Sequence, residues 1–218
     1  MTEFDKGYWE NHWFTLEASM RGHHLPVNPY LTTETANLPA GTALDAGCGT
    51  GTEALWLAEQ GWSVTAADIS ATALATAQTR AAATGVGDRI NWVQTDISQW
   101  APKQTWDLVV TNYAHAQGGQ LAFYRRISSW VAQGGTVLIV GHLHGNHDDD
   151  HAGHDHPAHD HPEEATATLE AIVRLFSPAD WRVEAGYEHN RTVHPGESPV
   201  QLRDVIVRAR RSVSGTDR

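Results

Sequence analysis

The run Leu44-Asp45-Ala46-Gly47-Cys48-Gly49-Thr50-Gly51 concentrates residue types that can hold a ligand. Gly47, Gly49 and Gly51 tolerate positive φ and let the backbone approach a bound group closely. A helical pattern starts at Thr52, so the free N–H groups of a helix N-terminus would face whatever the loop cradles. Acids frame the loop: Asp45 precedes it, Asp68 ends the next strand-like run, and Asp96 ends the one after. A carboxylate placed like Asp68 can accept hydrogen bonds from two vicinal ribose hydroxyls, as in other nucleoside-binding α/β folds. Dinucleotide enzymes prefer G-x-G-x-x-G, and here Thr52 stands in place of the third glycine. The set therefore points to a nucleoside ligand and away from a nicotinamide oxidoreductase. Cys48 shares the turn, but no basic or histidine partner adjoins it, so it reads as the small residue the turn requires rather than a nucleophile.

Such residues need elements that bring them to one edge. TALDA (42–46), WSVTAAD (62–68), RINWVQTD (89–96), WDLVVTNY (106–113) and TVLIVGH (136–142) read as strands. Helical stretches lie between them at 52–60, from Ser70 as cap to Gly85, and at 120–132. A helix at 165–176 and two further strands, WRVEAGYEH and QLRDVIVRARR, follow, the last placed antiparallel at the edge. Strands alternating with helices of this length predict βαβ units, hence a doubly wound, mostly parallel seven-stranded sheet with helices on both faces. Residues 1–40 are expected to form a helical segment ahead of the main domain at 41–218, which carries a His/Asp-rich insertion at 142–164.

The length of 218 residues suits one domain, and 40% hydrophobic residues suffice for its core. The net charge of −11 leaves no basic footprint for nucleic acid. Much of the acid is local, because no Lys or Arg occurs between Arg126 and Arg174. No apolar run approaches the roughly 20 residues that span a bilayer, and the N-terminus lacks a signal-peptide core. The single cysteine suits a reducing compartment, so a cytoplasmic location with no membrane partner is expected.

LDAGCGTG, AADIS, QTDIS and DLVVTNY, in this order and spacing, resemble the motifs of class I S-adenosylmethionine-dependent methyltransferases over roughly residues 40–141. The resemblance implies a Rossmann-like methyltransferase fold, S-adenosylmethionine as cofactor and a methyl acceptor as partner. It implies that Gly47, Cys48, Gly49 and Gly51 hold the methionine part, with Asp45 supporting the loop. Asp68 would take the ribose hydroxyls, and Ile69 and Ile97 would pack on the adenine. Asp96 would meet the adenine edge, and Asn112 would lie beside the sulfonium. Plainer roles stand beside these: a helix cap for Asp96, core packing for Ile69 and Ile97. FDKGYWENHW is similar to the aromatic helix of small-molecule methyltransferases of the tellurite-resistance and thiopurine S-methyltransferase groups, where it lids the cofactor. That implies a lid role for Tyr8, Trp9 and Trp13, with core packing as the alternative, and a small, soft acceptor such as a thiol or metalloid anion.

A base is needed only if the acceptor is protonated. His115, three residues past Asn112, is the first candidate, with His142 and His144 behind it; a structural histidine is the alternative for each. The stretch TNYAHA departs from the N-P-P-[FYW] motif of amino-methylating nucleic-acid enzymes. In the insertion, His147, His151, His154, His156, His159 and His161 alternate with aspartates, a mixture suited to Zn or Ni. A metal-binding or metal-sensing module on a methyltransferase-like scaffold is therefore the competing function. A solvated insertion is the alternative to any metal role.

Overall fold

The computed structural model describes residues 4–20, 26–143, 166–193 and 200–213. Helices α1 (Lys6–Met20) and α2 (Pro29–Thr35) precede β1 (Thr42–Ala46). The winding continues with α3 (Thr52–Glu59), β2 (Ser63–Asp68), α4 (Ala71–Thr84), β3 (Ile90–Gln94) and β4 (Trp106–Asn112). It then runs through α5 (Gln120–Ser128), β5 (Val131–His142), α6 (Leu169–Val173), β6 (Trp181–Val193) and β7 (Val200–Arg211).

Local chemistry sets the boundaries. Asn28 caps α2 by accepting from the Tyr30 N–H, and Pro29 opens the helix with φ already fixed. Ser70 caps α4 through Ala73 N, and Gly85, at φ 74°, ends it in the left-handed region. The strands form one seven-stranded sheet in the order β3-β2-β1-β4-β5-β7-β6. The first five are mutually parallel. Apolar side chains of α2, α3 and α4 cover one face with Leu108, Val110, Leu138 and Val140. Those of α5 and α6 cover the other with Leu44, Val109, Ile139 and Val207.

The sheet is mixed as expected of its last strand, β7 being antiparallel to both β5 and β6. Three expectations change. Strand β7 runs inside the sheet, leaving β6 as the edge; Val205, Ile206 and Val207 are buried, which an outermost strand would not achieve. Helix α5 stops at Ser128, and β5 begins at Val131 rather than 136. Val131 is fully buried and pairs with Trp106, so a short apolar run that fits either period is claimed by the sheet. Gly135 then lies so close to Asp107 that an added Cβ would sit 2.9 Å from its carbonyl oxygen. Helix α6 is confined to Leu169–Val173 by its Thr168 cap.

Candidate active site

The carboxyl ends of β1 to β4 meet at one edge of the sheet, and the glycine loop closes over it. Gly47 N and Cys48 N donate to Ala67 O at 2.8 and 3.1 Å, tying the loop to the end of β2. Gly47, Gly49 and Gly51 all have positive φ, at 80°, 50° and 78°. Crowding adds to this at all three: an added Cβ would lie 2.3 Å from the Ala114 Cβ at Gly47, 2.6 Å from the Trp13 ring at Gly49 and 2.8 Å from the Trp92 ring at Gly51. Asp68 is buried, and its carboxylate accepts from Gly49 N at 2.8 Å and Ser70 N at 2.9 Å. It thus binds the loop to the start of α4 and retains further lone pairs for a ligand's hydroxyls.

Beneath the loop lies concentrated acid. Asp45 is 1% exposed, and its Oδ2 has no partner among the described residues. Burial pushes its carboxyl well above the usual carboxylate range, and the charges of Glu53 and Asp68 push the same way. Burial raises Glu53 and Asp68 as well. Such a cluster favours a cationic ligand, whose charge would relieve the mutual repulsion. The Cys48 thiol is buried and driven far above its ordinary value by desolvation and by Asp68, so it is not a thiolate nucleophile. Asn112 ends β4 with both amide atoms shut from water and unpartnered. Buried polar groups without partners are uncommon, and this one stands at the end of β4, two residues beyond the register partner of Asp45.

The remaining predicted residues separate. Ile69 and Asp96 line a cleft of about 450 Å³ with Gln94, Thr95, Lys6 and Gln117. The Asp96 carboxylate also accepts from Ser98 N at 2.8 Å, so it caps its own turn while facing the cleft. Ile97 packs into the core with Val109 and Phe123. Helix α1 crosses this edge. Trp13 lies on Gly49, and the Glu10 carboxylate accepts from Ser70 Oγ, Ala71 N and Thr72 N at 2.8–3.1 Å. Desolvation pushes Glu10 up, but these donors outweigh it and hold its carboxyl down at about 2. His115 is buried, stacked against Phe4 and Trp9 at 5.3 and 6.4 Å, and its Nδ1 is 3.2 Å from Gln120 Oε1. The six insertion histidines, and His144, lie outside the described residues. Among the described residues no group of three His, Cys, Asp or Glu could hold a metal.

Of a second constellation only His142 stood out in the sequence. Asp204, fully buried on β7, meets His142 Nδ1 at 3.0 Å and accepts from Tyr30 OH at 3.0 Å and Arg191 Nε at 2.5 Å. Arg191 also donates to Tyr113 OH at 3.0 Å, and the Tyr113 ring stacks on His142 at 4.0 Å. Tyr113 is the one described non-glycine residue with positive φ, 55°. The signal present in the sequence was an acid in the middle of an otherwise apolar and basic strand.

Comparison with known proteins agrees with this geometry. Residues 43–135 match the family described as "Methyltransferase domain". The probable thiol methyltransferase 2 of Arabidopsis thaliana is 32% identical over 113 residues, covering 50% of this chain and 48% of that protein. A methyltransferase from Thiobacillus denitrificans, solved with S-adenosyl-L-homocysteine, aligns with TM-score 0.50 and 25% identity over 58% of this chain and 54% of its own. TehB from Haemophilus influenzae aligns with TM-score 0.68 and 16% identity over 93% of this chain and 66% of its own. The chain spans about half the length of the curated relatives it matches. Fold, motif order and the match at residues 43–135 all agree with the resemblance to class I S-adenosylmethionine-dependent methyltransferases. The residues present fit that cofactor: a crowded glycine cradle, an acid cluster suited to cationic groups and an orphaned amide at Asn112.

Proposed function

We propose that this protein transfers a methyl group from S-adenosylmethionine to a small molecule with a soft nucleophilic atom, a thiol or a metalloid anion. The observation that carries this reading is the convergence of the glycine loop, Asp68 and the unpartnered Asn112 amide at one sheet edge beneath α1. The likeness to a thiol methyltransferase supports the acceptor class.

The cofactor supplies an electrophilic methyl on a sulfonium. In our reading Gly47, Cys48, Gly49 and Gly51 hold its methionine part, with Asp45 beneath them, and Asp68 holds the ribose. Ile69 and Asp96 flank the adenine, while Asn112 offers its amide near the sulfur. The leaving group departs neutral, so the protein's task is alignment and exclusion of water, and orientation can contribute about 7–11 kcal/mol. Residues 1–40, with Tyr8, Trp9 and Trp13 on α1, act as the lid.

The test is a methyl-transfer screen with labelled S-adenosylmethionine across benzyl mercaptan, thiocyanate, tellurite, phenol and an amine. Turnover of the sulfur or metalloid acceptors is expected; turnover of the phenol or amine alone would overturn the acceptor class. Deleting residues 1–20 should leave a folded domain with poor turnover. A truncated chain that cannot fold would make these aromatics core, and normal turnover would remove the lid role.

A further inference from the structure

We propose that His142 and Asp204 form a general-base dyad that takes the proton of a thiol acceptor during methyl transfer, an inference that rests on the acceptor class proposed above. The placement comes first. Val140 is the register partner of Asn112, and Tyr113 N donates to Val140 O at 2.9 Å. His142 therefore leaves β5 two residues beyond the orphaned Asn112 amide, at the sheet edge that carries the glycine loop. Its ring is packed flat on Tyr113, with planes 12° apart, which fixes its orientation.

The chemistry follows from Asp204. This carboxylate has no solvent exposure, yet three donors converge on it: His142, Arg191 and Tyr30. Burial alone would push its carboxyl up, but the hydrogen bonds from His142 and Arg191 and the Arg191 charge hold it below the ordinary range. An ionised carboxylate 3.0 Å from Nδ1 fixes the imidazole proton on that nitrogen and leaves the Nε2 lone pair available. Nε2 makes no hydrogen bond among the described residues, and the side chain is 26% exposed. His115 offers neither feature to the same degree, being 9% exposed and clasped between Phe4 and Trp9.

A thiol with a pKa of about 8.5 is only a few per cent thiolate at neutral pH. In the step proposed, Nε2 takes the S–H proton while the sulfur lone pair forms the new bond to the methyl carbon. The bond from that carbon to the cofactor sulfur breaks, and its electron pair stays on the departing thioether. The proton then passes from His142 to water. His142 is the catalytic residue, and Asp204 is a positioning residue. The ionisable groups around the ring are Asp204 on β7, Arg191 and His189 on β6, Tyr30 on α2 and Tyr113 after β4. His189 Nδ1 lies 2.7 Å from the Tyr30 hydroxyl, so it reaches the dyad through that group.

Two measurements test this. The first is the ¹⁵N spectrum of the histidine-labelled full chain, with His142→Gln to assign the signal. The expected result is a proton on Nδ1 at neutral pH; a proton on Nε2 overturns the dyad, whatever the acceptor. The second compares His142→Gln with the parent on benzyl mercaptan and on thiocyanate, which carries no proton at neutral pH. General-base catalysis is worth about 10²–10⁴-fold, so kcat with the mercaptan should fall at least 100-fold. The loss with thiocyanate should be at least tenfold smaller, and calorimetric affinity for S-adenosylhomocysteine should not change. The mercaptan deficit should also shrink as the pH is raised toward the mercaptan's own pKa, where the free thiol ionises unaided. Equal losses on both acceptors overturn the proposal. A parent that methylates neither acceptor overturns the base role on a thiol together with the thiol part of the acceptor class, while the spectrum still judges the tautomer.

Discussion

The two halves of the carboxyl edge are built on different principles. On the glycine-loop side, Asp45, the loop itself, Asp68, Asp96 and Asn112 arise in chain order from successive strand–helix turns. On the other side, the Tyr30–Asp204 contact joins residues 174 apart, and the His142–Asp204 contact joins residues 62 apart. The first half is held by backbone geometry and tolerates unpaired acid. The second is held by side chains around one buried charge. The glycine-loop side is thus a local motif, while the Asp204 side depends on the whole sheet being closed.

The largest expected effect falls on the second half. Asp204→Ala leaves Arg191, Tyr30 and His142 without their shared acceptor. Removing one partner of a buried pair costs about 3–5 kcal/mol, which urea denaturation would report. A loss below about 1 kcal/mol would mean that the network adds little to closing the sheet. On the glycine-loop side, Asp68→Ala should cost less stability but weaken S-adenosylhomocysteine about tenfold or more, since hydrogen bonds to a charged group are worth roughly 1.5–3 kcal/mol. Unchanged affinity in a folded variant would remove the ribose role.

Asp45→Asn sharpens the contrast through pH. Burial raises the folded carboxyl above its unfolded value of about 3.9, so the folded state keeps a proton that the unfolded state has lost. Stability from this group is full below the unfolded value and declines as pH rises through the raised one. The asparagine variant cannot titrate, so its stability relative to the parent should grow with pH; parallel denaturation curves from pH 4 to 8 would sink the assignment. The smallest effect is expected at Glu10→Gln, which weakens the clasp of α1 on α4. A helix-terminal acid is worth about 0.3–1 kcal/mol, visible as faster proteolysis of α1. Because Glu10 is held at about 2, the parent's clasp is present above the ordinary carboxylate range and lost only as pH falls toward that value.

What could be read beforehand follows the same division. Gly47, Gly49 and Asp68 were legible because a turn between adjacent strands imposes residue types over a few positions. Asp96 takes the plainer role of capping its own turn, and it also lines the cleft. Ile97 went to the core, because position after a strand does not say which face a side chain takes. Residues 129–135 were misassigned because Val131 fits either period until Trp106 is known to pair with it. Asp204 was invisible as a site: in QLRDVIVRARR an acid reads as solvent-facing until β7 is known to lie inside the sheet.

That inner position of β7 also orders events in time. Strand β6 pairs only with β7, so it cannot join the sheet until the later strand has been made and threaded beside β5. A nascent chain emerging from a ribosome could complete the glycine loop and β1 to β5 first. During that interval the 12-residue β5 would present an open edge, a template for pairing between chains. The window of greatest aggregation hazard should therefore close when β7 docks, in the same step that assembles the groups around Asp204.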